Sequence, residues 1–192
     1  MKTQPKPIRS RFSGFRFNPR ETAARVMLVA VLIAAHTLGA QVNPSRPWRT
    51  IKTAHFYIHF TPELEETARR SAVSAESAYV RLRRHLAPPR GAIDLVIADN
   101  VDYTNGFATP FPSNRIVIYA NPPVSDENLR FFDDPMELII THELTHVFHI
   151  DRVGGVWSWL RYAFGRDPSY MPNAYEPSWM VEGLAVYYES LI

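Results

Sequence analysis

The stretch His142-Glu143-Leu144-Thr145-His146 constrains this chain more than any other. On an α-helix, residues four apart lie on the same face, one turn above the other. His142 and His146 can therefore direct two imidazole nitrogens at one metal ion, and Glu143 can accept a proton from a water on that ion. Zn²⁺ suits two imidazoles and one carboxylate, with a fourth position open for water. The alternative is a solvated helix that carries two histidines by chance.

The residues around this motif favour the metal site because they predict a buried helix. Asp134 suits the N-cap, Pro135 suits the first helical position, and Glu137 completes a capping box. Apolar side chains surround most of the helix: Leu138, Ile139, Ile140, Leu144, Val147 and Phe148. Burial would exclude water that competes for the metal and would fix both imidazole rings.

Composition and charge narrow the class of protein. The chain has 192 residues, of which 46% are hydrophobic, so it can build one domain with its own core. It has no cysteine, which excludes a disulfide framework and a thiolate metal site. Residues 1–40 carry a net charge of +6 and residues 41–192 carry −4. The basic character belongs to the leader, and nucleic acid is not expected as a partner.

Residues 1–40 have the pattern of a secretory signal peptide. A basic front precedes an apolar run at 26–35, and Gly39-Ala40 offers small residues before Gln41. We therefore expect an exported protein that is periplasmic, extracellular or associated with the envelope. The alternative is an uncleaved signal-anchor that holds the chain at a membrane through residues 26–40. The apolar run is short for a membrane span of about 20 residues.

Hydrophobic periodicity predicts the elements around the metal helix. Three strands are expected at 55–60, 93–98 and 115–120. A long helix is expected from Thr61 to about Leu86, with Thr61 as its cap.

The remaining segments read as connections. Residues 43–50 are expected to be a lead-in, and residues 99–112 a loop with an Asn105-Gly106 turn. Residues 156–177 form an aromatic connection, whose rings are expected to pack in the core. The alternative for these rings is a platform that contacts substrate.

A second helix at 177–189 supplies the best third metal ligand, Glu182. Gly183 beside it would let this helix approach the first one closely. Glu189 lies two turns beyond Glu182 on the same face and is expected to support a ligand. Weaker candidates for the third ligand lie at or near loops: Asp151, Asp167 and Glu176.

Together the two motifs, HELTH at 142–146 and WMVEGLAVYYE at 179–189, resemble those of the gluzincin metallopeptidases. This peptidase MA-like superfamily includes thermolysin and the M1 aminopeptidases. NGFAT at 105–109 and IVIYA at 116–120 are similar to secreted bacterial members in which the module precedes a β-propeller. The resemblance covers about residues 48–190. It implies an α+β, zincin-like fold: a small mixed β-sheet, a long helix, and two helices that hold the metal.

The resemblance also implies a role for each matching residue. His142, His146 and Glu182 would bind one Zn²⁺ per chain, and Glu143 would be the general base. The strand that pairs with a peptide or protein substrate would be formed by Gly106, Phe107 and Ala108. Candidates to stabilise the oxyanion or to support the metal ligands are Tyr175, Tyr187, Tyr188 and Glu189.

This chain departs from the family pattern in several places. The 35 residues between His146 and Glu182 are more than in thermolysin or the M1 enzymes, and Val186 stands where thermolysin-like helices carry an aspartate. His149 and Arg152 exclude a metzincin pattern. Because oxyanion donors of relatives often follow the glutamate helix, residues 41–192 are expected to be the N-terminal part of a peptidase domain.

Two functions remain open from the sequence. The first is a secreted zinc metallopeptidase that hydrolyses peptide bonds. The second is a catalytically inactive, zinc-stabilised binding module of a larger envelope protein. The intact Glu143 favours the enzyme, because a structural metal site does not need a base.

Overall fold

A five-stranded mixed β-sheet forms the centre of the computed structural model, which describes residues 42–99, 105–120 and 135–191. In chain order the strands are β1 (Arg49–Lys52), β2 (Phe56–Phe60), β3 (Ile93–Ala98), β4 (Asn105–Thr109) and β5 (Arg115–Tyr119). Their order across the sheet is β1-β2-β3-β5-β4. Strands β2, β3 and β5 are parallel, whereas β1 and β4 pair antiparallel at the two edges.

Four α-helices accompany the sheet in the described part of the chain. They are α1 (Glu65–Leu82), α2 (Pro135–Ile150), α3 (Gly155–Phe164) and α4 (Ser178–Leu191). Helix α1 packs on β2, α2 packs on β4 and β5 and against α1, and α4 packs against α2. The fold is thus mixed α/β, which is compatible with the predicted α+β class. Of the helices described, none has the length and apolar content needed to cross a membrane.

The core lies between the sheet and the helices α1 and α2. The strands contribute large apolar side chains, among them Ile58, Leu95 and Ile118, which are fully buried. Helix α1 meets them with a stripe of small residues: Ala68, Ala72, Ala75 and Ala78. These alanines recur every three or four residues, so they share one face and let the helix lie close to the sheet.

The structure agrees with the three predicted strands and corrects the segments between them. Strand β1 lies in the stretch that was expected to be a lead-in. The loop predicted at 99–112 is wrong for Asn105–Thr109, which form β4 and include the strand that the resemblance implied at 106–108. Asn and Gly favour turns locally, but pairing with β5 and packing against α2 decide this stretch.

The predicted helix starts also differ in detail. A 3-10 turn at Pro62–Leu64 precedes α1, and the hydroxyl of Thr61 makes no capping hydrogen bond. The proposed cap of the metal helix, Asp134, lies outside the described residues.

The aromatic segment at 156–177 contains α3 and two 3-10 turns, at Pro168–Tyr170 and Pro172–Tyr175, instead of an irregular connection. The expectation that its rings pack in the core is wrong for most of them. Trp159, Tyr162 and Phe164 are 61%, 88% and 67% exposed. The buried residue of α3 is Arg161. This helix therefore turns its apolar face outward.

Asp151, directly after α2, explains that orientation. Its side chain is 1% exposed, and its Oδ1 atom accepts a hydrogen bond of 2.7 Å from Arg161. Arg161 also donates to the Asp151 carbonyl over 2.8 Å. Arg166 pairs with the same carboxylate oxygen at 3.1 Å, and the backbone N–H of Arg90 donates to Oδ2 at 3.1 Å. A buried carboxylate requires such partners, and they hold the polar side of α3 against the end of α2.

Candidate metal centre

Helices α2 and α4 bring three metal-binding side chains together. His142 and His146 lie one turn apart on α2, with their ring centroids separated by 4.9 Å. Glu182 on α4 places its Oε2 atom 3.2 Å from Nε2 of His142 and 3.5 Å from Nε2 of His146. One ligand atom from each of these residues lies within 4.8 Å of the others. The group could therefore hold a metal ion.

Both ring nitrogens of His142 face a carboxylate. Nδ1 lies 2.7 Å from Oε2 of Glu189, and Nε2 lies 3.2 Å from Oε2 of Glu182. An ionised carboxylate only accepts hydrogen bonds, so Nδ1 carries a hydrogen. Glu189 thereby fixes the orientation of the ring, and a metal ion between Nε2 and Glu182 would replace the direct contact between these two groups.

Burial also prepares His146 for metal binding. Desolvation lowers the pKa of its imidazole, although the nearby Glu182 carboxylate opposes this change. A lowered pKa favours the neutral ring, which is the form that binds metal. Within the described part of the chain, the buried Nδ1 atom of His146 has no hydrogen-bond partner.

Glu143 has the position and the protonation behaviour of a base. It is 7% exposed and lies on the wall of the cleft that His142 and His146 also line. Desolvation raises the pKa of Glu143 to about 7; the charge of His142 opposes this rise and that of Glu182 adds to it. A carboxyl group with such a pKa can exchange a proton near neutral pH.

The cleft itself has a volume of about 370 Å³. It is lined by the residues Asn105, Gly106, Phe107, Ala108, His142, Glu143, His146, Ile150, Val181 and Glu182. Three residues that were predicted to contact substrate, Gly106, Phe107 and Ala108, are thus on β4 at its rim. The atoms that could hold a metal ion and the edge strand share one concave surface.

The tyrosines considered as oxyanion donors lie elsewhere. Tyr175, Tyr187 and Tyr188 are absent from the lining of this cleft. Tyr188 is buried in the core, whereas Tyr175 and Tyr187 are largely exposed. The geometry gives these three residues no support as donors to a group bound at the metal position.

The weaker candidates for the third ligand have other partners. Asp151 is held by the arginines described above. Oε2 of Glu176 lies 3.2 Å from Nε2 of His149. Asp167 accepts a hydrogen bond of 2.9 Å from the backbone of Ser169.

The close approach at this site occurs at a glycine that sequence reasoning had assigned to a turn. A Cβ atom on Gly106 would lie 2.9 Å from Cγ of Glu143 and 3.0 Å from side-chain atoms of Ile118 and Ile139. Gly183, which was expected to permit close helix packing, would meet nothing within 4 Å, so that expectation is wrong. One feature of the sequence could have indicated this contact. A glycine inside a strand-like stretch often lies where another part of the structure approaches closely.

Comparison with protein-family models and with curated proteins found no match for this chain. The resemblance to gluzincins therefore remains a prediction that rests on the two motifs.

Alanine at the two glycines should have opposite effects. We expect Gly106→Ala to lower the free energy of unfolding by about 1–3 kcal/mol, because the added methyl displaces Glu143 or its neighbours. Gly183→Ala, inside α4 and facing open space, should be neutral or stabilising by up to about 1 kcal/mol. Urea unfolding of the metal-free protein measures both changes. Equal stability of the two variants would contradict the close contact between β4 and α2.

Proposed function

We propose that this chain is a zinc-dependent metallopeptidase of the gluzincin type. The observation that carries the proposal is the convergence of three ligand atoms, from His142, His146 and Glu182, beside the buried Glu143. A site that only stabilised the fold would need the three ligands but would gain nothing from an intact carboxyl group beside them.

The donor set and its spacing support zinc as the metal. Two imidazole nitrogens and one carboxylate oxygen are a common ligand set of catalytic zinc. With metal–ligand bonds of about 2.0–2.1 Å, tetrahedral geometry requires ligand atoms about 3.4 Å apart. The separations from Oε2 of Glu182 to the two Nε2 atoms are 3.2 and 3.5 Å, and the three ligand atoms all lie within 4.8 Å of one another. Glu182 is partly exposed and lines the cleft, so the site is open on the side of the cleft.

The proposed chemistry divides between the metal and Glu143. When bound, zinc would polarise the scissile carbonyl and lower the pKa of its water ligand. Glu143 accepts the proton of the attacking water and passes it to the leaving amine. Its carboxyl group suits both transfers because it is buried on the wall of the cleft beside the proposed ligands. Glu189 keeps the ring of His142 oriented through the hydrogen bond to Nδ1.

The edge strand supports a peptide as the substrate. Strand β4 pairs with β5 on one side and ends the described sheet on the other. Its free side can add an extended chain through backbone hydrogen bonds. Because Gly106, Phe107 and Ala108 line the cleft, a peptide on β4 would pass the metal position and Glu143.

We also infer that the protein acts outside the cytoplasm. The basic leader, the apolar run at 26–35 and Gly39-Ala40 carry this inference. N-terminal sequencing of exported protein should find Gln41 or a close neighbour as the first residue. Protein in a membrane fraction that retains residues 26–40 would instead identify a signal-anchor.

Zinc content tests the ligand set. Elemental analysis of the purified protein should give close to one zinc per chain, and His146→Ala should lose most of it. Glu182→Gln should weaken zinc binding by about tenfold or more, because a neutral amide is a poorer ligand than a carboxylate. Glu176→Gln is the matched control: this glutamate also faces a histidine but lies outside the ligand set. Unchanged zinc content in His146→Ala would refute the site.

Glu143→Gln separates catalysis from metal binding. The amide keeps the shape of the side chain but cannot accept the proton, so peptide hydrolysis by the intact protein should fall by about 10²–10⁴-fold. Zinc content and the unfolding midpoint should stay close to the parent values. If the intact, zinc-loaded parent cleaves nothing in a broad peptide library, the enzyme proposal fails and the binding module takes its place.

A further inference from the structure

Helix α3 carries an exposed aromatic face that the proposed peptidase chemistry does not use. The helix spans Gly155–Phe164, and its exposed large side chains are Val156, Trp157, Trp159, Tyr162 and Phe164. The rings of Trp159 and Phe164 lie 6.4 Å apart, and those of Phe164 and Tyr170 lie 6.3 Å apart. The rings of Trp159, Phe164 and Tyr170 form a continuous surface, which we call the aromatic face, and Val156, one turn before Trp159, lies on the same side of α3. An exposed apolar surface of this kind marks a site of interaction.

The aromatic face is held outward by the polar contacts on the opposite side of α3. Arg161 is buried by its two hydrogen bonds to Asp151. Ser158, one turn earlier, accepts a hydrogen bond of 3.4 Å from Arg90. Rotation of the helix to bury its rings would expose the Asp151 carboxylate and break these bonds. The exposure of the rings is therefore built into the packing of α3.

The charges around α3 identify the kind of surface that it fits. Residues 152–166 contain three arginines and no acidic residue, whereas residues 41–192 as a whole carry a net charge of −4. Arg90, which donates a hydrogen bond to Ser158 of α3, adds a fourth cation beside the helix. Against these four, the neighbouring carboxylates are Asp151 and Asp167, so the local charge remains positive. Arg152 is exposed directly before the helix.

We propose that the aromatic face inserts into the interfacial layer of a lipid bilayer that carries anionic headgroups. Trp and Tyr favour this layer because the ring enters the apolar region while the N–H or O–H group stays among water and headgroups. Helices that lie in the interface combine such rings with arginines on the polar side. Arg152, which is exposed and lies just before the helix, meets the anionic headgroups by charge complementarity. This attachment is independent of residues 26–40.

A single fluorescent label tests the insertion. The chain has no cysteine, so one introduced cysteine is the only site for a thiol-reactive, environment-sensitive dye. Val156→Cys places the dye on the aromatic face, where the native side chain is 61% exposed, and Val73→Cys places it on α1, where the native side chain is 73% exposed. Both variants are made in the full chain and mixed with vesicles of phosphatidylcholine and phosphatidylglycerol. We expect a blue shift and a several-fold rise in emission at position 156 and no change at position 73.

Further changes to the protein, the vesicles and the salt concentration identify the cause of the signal. Replacing Trp159 and Phe164 by serine in the 156-labelled chain should abolish the response, even where the chain still co-sediments with vesicles through its basic leader. Arg152→Glu, vesicles of phosphatidylcholine alone, or high salt should each reduce the response, because the headgroup contacts are electrostatic. Unfolding midpoints close to that of the labelled parent confirm that these variants fold.

Three outcomes would overturn the proposal. The first is a dye at 156 that stays in water while the chain co-sediments with vesicles. The second is an equal response at 73, which means general adsorption. The third is a shift at 156 that depends on protein concentration without vesicles, which identifies the aromatic face as a contact between two copies of the chain.

Discussion

The rest of the structure depends on one constraint: a helix that is buried against the sheet carries ionisable side chains, and the fold must accommodate them. Desolvated imidazoles and carboxylates cost free energy unless each has a partner. Around α2 the partners come from α4, where Glu189 accepts from His142 and Glu182 faces both histidines. Glu143 faces the cleft, and its burial raises the pKa of its carboxyl group. The contact between α2 and α4 therefore both stabilises the fold and assembles the site.

The elements with a strong local pattern could be predicted from the sequence. Strands β2 and β3 alternate buried apolar residues with partly buried ones, β5 is mostly buried and apolar, and helix α2 combines apolar residues with two histidines one turn apart. Local propensity does not predict strand β4, because Asn105 and Gly106 favour a turn, and only the family resemblance implied a strand at 106–108. Only packing against α2 shows why a glycine is needed there. Glu182 and Glu189 could be predicted because both fall on one face of a single helix.

Helix α3 shows a second limit of reasoning from sequence. A row of aromatic residues normally indicates a core, and the usual assumption is that an arginine faces water. Here Arg161 is buried and the rings are exposed. The cause is a long-range contact, since the partner of Arg161 is Asp151 at the end of another helix. Periodicity identifies the two faces of α3 but cannot tell which one is inside.

The two edges of the sheet differ in a way that affects behaviour at high concentration. Strand β1 carries Arg49 and Lys52, charges that discourage pairing with a further strand. Strand β4 has the sequence NGFAT, which contains no charge. An edge that could accept a peptide could also accept the same edge of another molecule. On the proposed function, aggregation through β4 would be a cost of an open cleft, and a peptide on the edge would protect the folded protein from its own copies.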